Sequence, residues 1–562
     1  MATSPRIVRA LVAALVAACA LLTLAPAAGA AVWTAQAGTR VFPSTRPGSR
    51  VAVTLRVAGG EYRGFIVGLR GGVQRHASVT WTPDSDPLLV GNAVLDRVAF
   101  VRISRPTTGT GAKAGLYPDP LLPRRFGQTL TVSAHSSSLY VLFHVPYGTP
   151  GGLYSGTLHV VNGAEQVDVP VVLRVWSFGW QRLSVRTGFM VSSKWITGDP
   201  LVTYAMLREH GVTPMAPGAY PRTAANGDIK AALYADRLRP YLGSDGLDLV
   251  TARLPWSSLW PSYSWKFSSA DSRLLNYLTQ VCRVYRNNGW DAKAIGYPVD
   301  EPTSTSAERR AERLARTLHK ASARVGYRAK FFLTDDPRPT SLHAMLPANR
   351  FLWDDVDIWC VRYYYFFGRV PILRQLQAKG RQVWWYPYFS SAVARLPNFV
   401  IEKPLADQRV WGWLMYRWNV DGMLYWGVNR WGATSGGGSR DPYRDPLSFR
   451  YSDGRVANGE ACLIYPGYYP RYGLDDRSAP PVSSLRLESL RDGFQDREYL
   501  LLAAKLFGGS YVRSVVSSVT WYPYRVRYGH VFDFPKYTAK VAIFNTARNK
   551  LAERIEQTVT TP

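Results

Sequence analysis

Between Ser184 and Val428 the chain alternates strand and helix eight times, and no other feature limits its fold so sharply. The pattern predicts strands over Val185–Met190, Val212–Met215, Leu249–Leu254, Ala294–Val299, Ala329–Leu333, Ile358–Val361, Gln382–Tyr388 and Met423–Val428. It predicts helices over Leu201–His210, Ile229–Leu242, Arg273–Asn287, Ile372–Lys379 and Ala406–Asn419, with another ending near Val325. Thr305 and Glu308 read as a capping box that opens that last helix. Short apolar strands joined by helices pair in parallel, and eight such units are the count for a (β/α)₈ TIM barrel.

Residues 31–178 follow another rhythm. Val51–Val57 alternates, Leu139–Val145 is a continuous apolar run, and Gly151-Gly152 turns into Leu153–Val160 before Val169–Val175 closes the region. Short strands with Gly and Pro turns and no helical stretch predict a β-sandwich ahead of the barrel. The expected plan is a leader at 1–30, a sandwich at 31–178, a barrel at 179–510 and a helical extension at 511–562. Within that plan, helix Ser484–Leu506 and a final helix near Lys536–Glu556 pack on the barrel.

The leader is a targeting signal. Arg6 and Arg9 precede the apolar run Leu11–Leu24, and Ala28-Gly29-Ala30 forms an A-x-A-like cleavage site. Export to the extracellular space follows as an expectation. Val16-Ala17-Ala18-Cys19 also resembles a lipoprotein cleavage box, which would anchor the chain at Cys19; the apolar run continues past it, favouring cleavage near Ala30. No later stretch is long and apolar enough to span a membrane.

The formal charge of +28 raises the question of a polyanionic partner. No nucleic-acid motif accompanies it, and export argues against nucleic acid. The expected partner of the basic surface is an anionic wall polymer or acidic glycan. Beyond the leader only Cys282, Cys360 and Cys462 occur, an odd and sparse set without disulfide or zinc spacing, so buried thiols are expected and no metal or cofactor is called for. HExxH, P-loop, GxSxG and Rossmann glycine patterns are absent from the sequence.

In a barrel of this kind the site is built from loops at the C-terminal strand ends, so acids there carry the chemistry. Strand four ends Gly296-Tyr-Pro-Val-Asp-Glu-Pro302, which puts Asp300 and Glu301 where strand becomes loop. The plain alternative is a pair of loop carboxylates that serve the next helix's N-terminus. A glycosidase ordinarily needs two carboxylates on opposite sides of the scissile bond. Strand seven, Gln382–Phe389, carries no acid, and neither does Val361–Tyr365 at the end of strand six. Asp354, Asp355 and Asp357 precede strand six and fall on the opposite face. Asp335 and Asp336, after strand five, remain as partners for a two-carboxylate reaction.

Two adjacent carboxylates suit a second mechanism, in which the substrate's own 2-acetamido oxygen attacks the anomeric carbon. Glu301 then protonates the leaving oxygen, and Asp300 orients the acetamido N–H and stabilises the charge that develops. Tyr297, Trp385 and Trp426 could wall such an acid.

Nineteen Trp, 33 Tyr and 21 Phe read either as large cores or as sugar platforms, since flat rings stack on sugar C–H faces. Tyr364, Trp385, Tyr386, Trp426 and Trp431 are the candidates at strand ends, with Asn429 as a sugar hydrogen-bonding residue. Packing between strands and helices is the competing use for each. On helix Ser484–Leu506, Glu488, Arg491, Asp492 and Glu498 are expected to serve structure, as a charge network.

At this point a resemblance becomes specific. Tyr117-Pro-Asp-Pro-Leu-Leu-Pro123 and Val145-Pro…Gly152-Leu-Tyr-Ser-Gly-Thr157 lie in the first region. Further on come Val299-Asp-Glu-Pro302, Trp384-Trp-Tyr386, Gly422-Met-Leu-Tyr-Trp-Gly427 and Leu463-Ile-Tyr-Pro-Gly467. Ser484-Leu-Arg-Leu-Glu-Ser-Leu-Arg-Asp-Gly493 followed by Asp496-Arg-Glu-Tyr-Leu500 is the most distinctive. In this order they resemble the family 123 glycoside hydrolases over nearly the whole exported chain. The resemblance implies a β-N-acetylgalactosaminidase-like enzyme with a sandwich before the barrel, retention by substrate assistance, and Asp300 and Glu301 in the roles above. A glycosidase of another sugar using Asp335 or Asp336, and a glycan-binding protein without turnover, stand as the alternatives.

Overall fold

The computed structural model describes residues 30–49, 51–84, 92–196, 198–215, 221, 224, 227–242, 252–253, 270–337, 349–388, 396–431, 441–451, 453–521, 526–527, 530–531 and 534–559. The expected leader, most of the expected third strand and the connection over 432–440 lie outside the described residues. The chain divides into two compact units that are not contiguous in sequence. One comprises 1–100, 116–182 and 549–562; the other comprises 101–115 and 183–548.

The first unit is built of strands β1 (Ala31–Gln36), β2 (Val53–Gly59), β3 (Tyr62–Arg70), β4 (His76–Pro83), β5 (Ala93–Ile103), β6 (Gly115–Arg124), β7 (Leu130–Thr131), β8 (Ser137–His144), β9 (Gly152–Asn162) and β10 (Glu165–Gly179). They form two five-stranded sheets, ordered β1-β3-β8-β5-β6 and β2-β10-β9-β4-β7. Strand periodicity explains the core, since alternate residues face one side. Val67, Leu139 and Val141 from one sheet join Val79, Leu158 and Leu173 from the other in one buried apolar cluster.

The second unit carries β11 (Thr187–Met190), β12 (Pro214–Met215), β13 (Ala252–Arg253), β14 (Ala294–Gly296), β15 (Lys330–Thr334), β16 (Ile358–Arg362), β17 (Gln382–Tyr386) and β18 (Gly422–Tyr425). Their order is β12-β11-β18-β17-β16-β15-β14-β13, and every paired ladder in it is parallel. Between these strands run α1 (Pro200–Glu209), α2 (Ala231–Leu242), α3 (Ala270–Asn287), α4 (Thr305–Ala323), α5 (Tyr363–Phe366), α6 (Val370–Ala378) and α7 (Ala406–Arg417). The unit is thus a mixed α/β fold. One side of the sheet gathers Met215, Ile295, Phe332, Ile358, Cys360, Trp384 and Leu424 into a shared apolar cluster. Because strand residues alternate, Trp384 and Tyr386 enter that cluster while Trp385 packs on the other side.

Two local expectations are corrected. Ser304, not Thr305, caps α4: its backbone is extended, and its side chain accepts from the Ala307 N–H. Glu308 is buried, in the first turn of the helix. The final helix begins at Val541, not Lys536, because Lys536–Tyr537 pairs with Thr520–Trp521 as a short antiparallel ladder.

Helix α8 (Leu485–Phe507) holds the second unit together against α7. The two cross at glycines: a Cβ on Gly412 would lie 1.8 Å from the Gly493 carbonyl oxygen, and one on Gly493 would lie 2.1 Å from that of Arg409. Beside this crossing, Asp496 accepts two hydrogen bonds from the buried Arg409 guanidinium, at 2.7 and 3.0 Å, and a third from Trp413 at 2.8 Å. About two turns earlier Glu488 is buried with Arg491 and His210. Burial alone would raise the Glu488 carboxyl, but Arg491 and His210 override it and hold it at about 2.

A methyl group at Gly493 must push the helices apart, so Gly493→Ala is expected to cost at least the ~1–3 kcal/mol typical of overpacking. Asp496→Ala strands the Arg409 charge and is expected to cost about 3–5 kcal/mol. Denaturant unfolding of both variants checks these values; an unshifted midpoint for Gly493→Ala would show that the crossing is not tight.

Candidate active site

All eight parallel strands end on one side of the sheet, and the polar groups collect there. Regular pairing of β14 with β15 stops at Gly296, but a single parallel bridge joins Asp300 to Thr334 three residues beyond Tyr297. That bridge brings the acid pair to the tip of β15. Tyr297 donates its hydroxyl to Asp300 Oδ1 at 2.6 Å, and Thr334 Oγ1 donates to the same oxygen at 2.7 Å. The Glu301 N–H donates back to Thr334 Oγ1 at 2.9 Å. Glu301 itself has φ 41°, in the left-handed region that costs a non-glycine residue about 1–3 kcal/mol. The following Pro302 disfavours the right-handed helical alternative.

Both carboxylates reach solvent, while the groups that hold them are buried. Tyr386, at the end of β17, donates its hydroxyl to Glu301 Oε1. Burial, followed by the charge of Glu301, pushes the Tyr386 hydroxyl well above its ordinary value, so it stays a proton donor. Burial, then Asp300, does the same to Tyr297. Among the described residues no hydrogen bond reaches Asp300 Oδ2 or Glu301 Oε2. One oxygen of each acid is therefore fixed by the protein, and the other has no hydrogen-bond partner among the described residues.

Asp335 and Asp336 follow Thr334, and each is engaged. Asp336 accepts from the Arg362 backbone N–H at 3.1 Å and from its Nε at 2.8 Å, with Nη2 on the same carboxylate. Burial raises its carboxyl, and Arg362 works against that. Burial alone would depress the Arg362 guanidinium, but Asp336, Tyr386 and Glu301 around it push it the other way. Asp335 accepts from the Asp336 N–H at 2.8 Å and from Asn349 Nδ2 at 2.9 Å. Its burial, opposed by Asn349, leaves the carboxyl pushed up to about 7. The acids ahead of β16 are tied elsewhere: Asp357 pairs with His319, Arg328 and Arg381, and Asp355 with Arg316.

The aromatic candidates separate. Tyr386 joins the acid pair directly. Tyr364 is half-buried beside Tyr365 and lines a small apolar slot with Tyr388, Pro387 and Leu396. Trp426 is half-buried after β18, donates its indole N–H to Glu460 at 2.9 Å and carries Arg430 over its ring. Trp385 is fully buried among Tyr363, Phe366 and Trp411, so it is a packing residue and not a wall of the site. Trp431 is buried with its N–H on the Ile464 carbonyl. Asn429 is wholly buried and spends both ends of its amide on the Ser192 backbone, at 2.9 Å each, so it joins the turns after β11 and β18 instead of facing a sugar.

Two residues of this arrangement escape a reading of the sequence. Thr334 looks like any β-branched strand residue. Arg362 ends the strand where only acids were sought; a charged side chain at the last position of a buried parallel strand was the available signal.

The catalytic domain of glycoside hydrolase 123 matches residues 270–503. Among solved structures, a family 123 glycoside hydrolase from Clostridium perfringens, described for glycolipid glycan hydrolysis, matches with a TM-score of 0.67 at 11% identity, over 95% of this chain and 99% of that one. At that identity the likeness speaks to fold. β-Glucuronidase 3 of Bacteroides uniformis matches with a TM-score of 0.29 at 10% identity, over 80% of this chain and 51% of that one. An endo-β-1,4-mannanase of Thermotoga petrophila matches with a TM-score of 0.31 at 11% identity, over 56% and 77%. Neither of these bears on the argument. None of the curated proteins matches the chain. Asp300, Glu301 and the α7–α8 crossing all fall inside the matched stretch, and that match to a glycoside hydrolase family 123 catalytic domain marks the chain as a glycoside hydrolase.

Proposed function

We propose that the enzyme is an exported, retaining β-N-acetylhexosaminidase, of the N-acetylgalactosaminidase type, that works by substrate assistance. The observation that carries this reading is the division of labour within the acid pair. Asp300 has one oxygen taken by two hydroxyls and the other without a hydrogen bond among the described residues, suited to accept the N–H of a 2-acetamido group. That hydrogen bond directs the acetamido oxygen at the anomeric carbon and stabilises the positive charge that forms. Glu301, with Tyr386 on Oε1, carries its proton on Oε2 and delivers it to the leaving oxygen. Water then opens the intermediate, with Glu301 as base.

For the architecture we infer a closed (β/α)₈ barrel that follows an N-terminal β-sandwich in the sequence. The two edge strands of the parallel sheet, β12 and β13, are consecutive in the chain, so only their pairing separates the observed order from closure. Export rests on the leader's basic start, apolar run and Ala28-Gly29-Ala30. The glycolipid glycans named for the Clostridium perfringens enzyme suggest an oligosaccharide with a terminal 2-acetamido sugar as the substrate class.

Glu301→Gln is expected to lower kcat on aryl N-acetylhexosaminides by about 10²–10⁴-fold, and by much less where the leaving phenol needs no proton. Asp300→Asn is expected to cripple turnover less completely. Full activity in Glu301→Gln would sink the assignment.

The two-carboxylate alternative is weaker because Asp336 is consumed by Arg362, and Asp335 holds its proton up to about 7. A nucleophile must be ionised, so Asp335→Asn is expected to keep activity within about tenfold of the parent. The same variant has a stability signature. Asp335 binds its proton more tightly folded than unfolded, so its favourable contribution is complete below the ordinary carboxylate range and fades as pH rises toward 7. Asp335→Asn should flatten that limb of the unfolding profile; loss of turnover in this variant, with its unfolding midpoint preserved, would revive the alternative.

A further inference from the structure

We infer that Thr334 is the positioning residue for both carboxylates, an inference that rests on the roles proposed above for Asp300 and Glu301. Thr334 ends β15 and is buried, at 1% exposure. A hydroxyl has one proton and two lone pairs. The Thr334 proton goes to Asp300 Oδ1 at 2.7 Å, and a lone pair receives the Glu301 N–H at 2.9 Å. The Tyr297 hydroxyl lies 3.2 Å away, but its own proton is directed at Asp300 Oδ1 at 2.6 Å. One side-chain atom thus sets the rotamer of the first acid and the backbone of the second.

The two arms do different work. The Asp300 arm fixes Oδ1 in the protein, so that Oδ2 is the oxygen offered to the acetamido N–H. The Glu301 arm ties down the peptide of a residue that sits at φ 41°, a conformation that few non-glycine residues adopt unaided. Released from it, the Glu301 backbone can relax and carry its carboxyl away from the Tyr386 hydroxyl. Thr334 touches no sugar in this scheme. It holds the two acids together as a pair.

Thr334→Val keeps the shape and removes the oxygen. It is expected to lower kcat by about 10- to 100-fold with little change in KM, since the lost interactions orient groups that act in the transition state. Thr334→Ser restores the oxygen and is expected to stay within about threefold of the parent. Tyr297→Phe takes one donor from Asp300 and leaves Glu301 untouched, so its loss should be smaller than that of Thr334→Val. It also carries the test if the Val variant fails to show a cooperative thermal transition. Parental kcat in a folded Thr334→Val, or a loss in Tyr297→Phe equal to that of Glu301→Gln, overturns the inference. If Glu301→Gln and Asp300→Asn are both active, the proposed function has failed instead, whatever Thr334 does.

Discussion

The last rung between β14 and β15 governs the site. Regular hydrogen bonding ends at Gly296, and the chain then runs free through Pro298 and Val299 before the bridge at Asp300 and Thr334 catches it again. Without that catch, the acid pair would sit on a loop with its own choice of conformation. With it, the pair inherits the order of a parallel sheet whose core is filled by Ile295, Phe332, Cys360 and Trp384. The rigid scaffold ends within one residue of the chemistry, which is why a left-handed glutamate can be tolerated there.

A second constraint acts within the same unit. Helices α7 and α8 approach so closely at Gly412 and Gly493 that backbone meets backbone. Buried charges flank that contact, and each is answered: Asp496 by Arg409 and Trp413, Glu488 by Arg491 and His210. Such pairs add little net stability over apolar residues of the same size, but they penalise any other register heavily. The most distinctive stretch of the sequence, Ser484–Leu500, therefore specifies how two helices mate. It reads as a catalytic motif only if its burial is ignored.

The strand–helix alternation of the second unit was legible because it depends on period alone, and Asp300 and Glu301 were legible because a parallel strand must end before its loop begins. What could not be read was which way each aromatic faces. Trp384, Trp385 and Tyr386 are consecutive, and a single residue's shift of register sends Trp385 inward or outward. The Asn429 amide looks available in a string of letters, but the Ser192 backbone takes both its ends, 237 residues away in sequence. Thr334 was invisible for the same reason: its importance lies in partners brought by another strand. Ser304 was passed over for Thr305 because either can cap, and only backbone geometry decides.

The three free thiols of the second unit carry a practical consequence. Cys282, Cys360 and Cys462 sit in a helix, a central strand and a late loop, all buried. Burial pushes Cys282 up to about 11 and Cys462 up to about 12, and lifts Cys360 well above its ordinary value, with the site's own acids adding to the effect there. Alkylation needs the thiolate, so the folded unit is inert to maleimides at neutral pH and each thiol becomes reactive only when its own surroundings open. The chain thus has three native clocks for local unfolding, one of them directly beneath the acid pair.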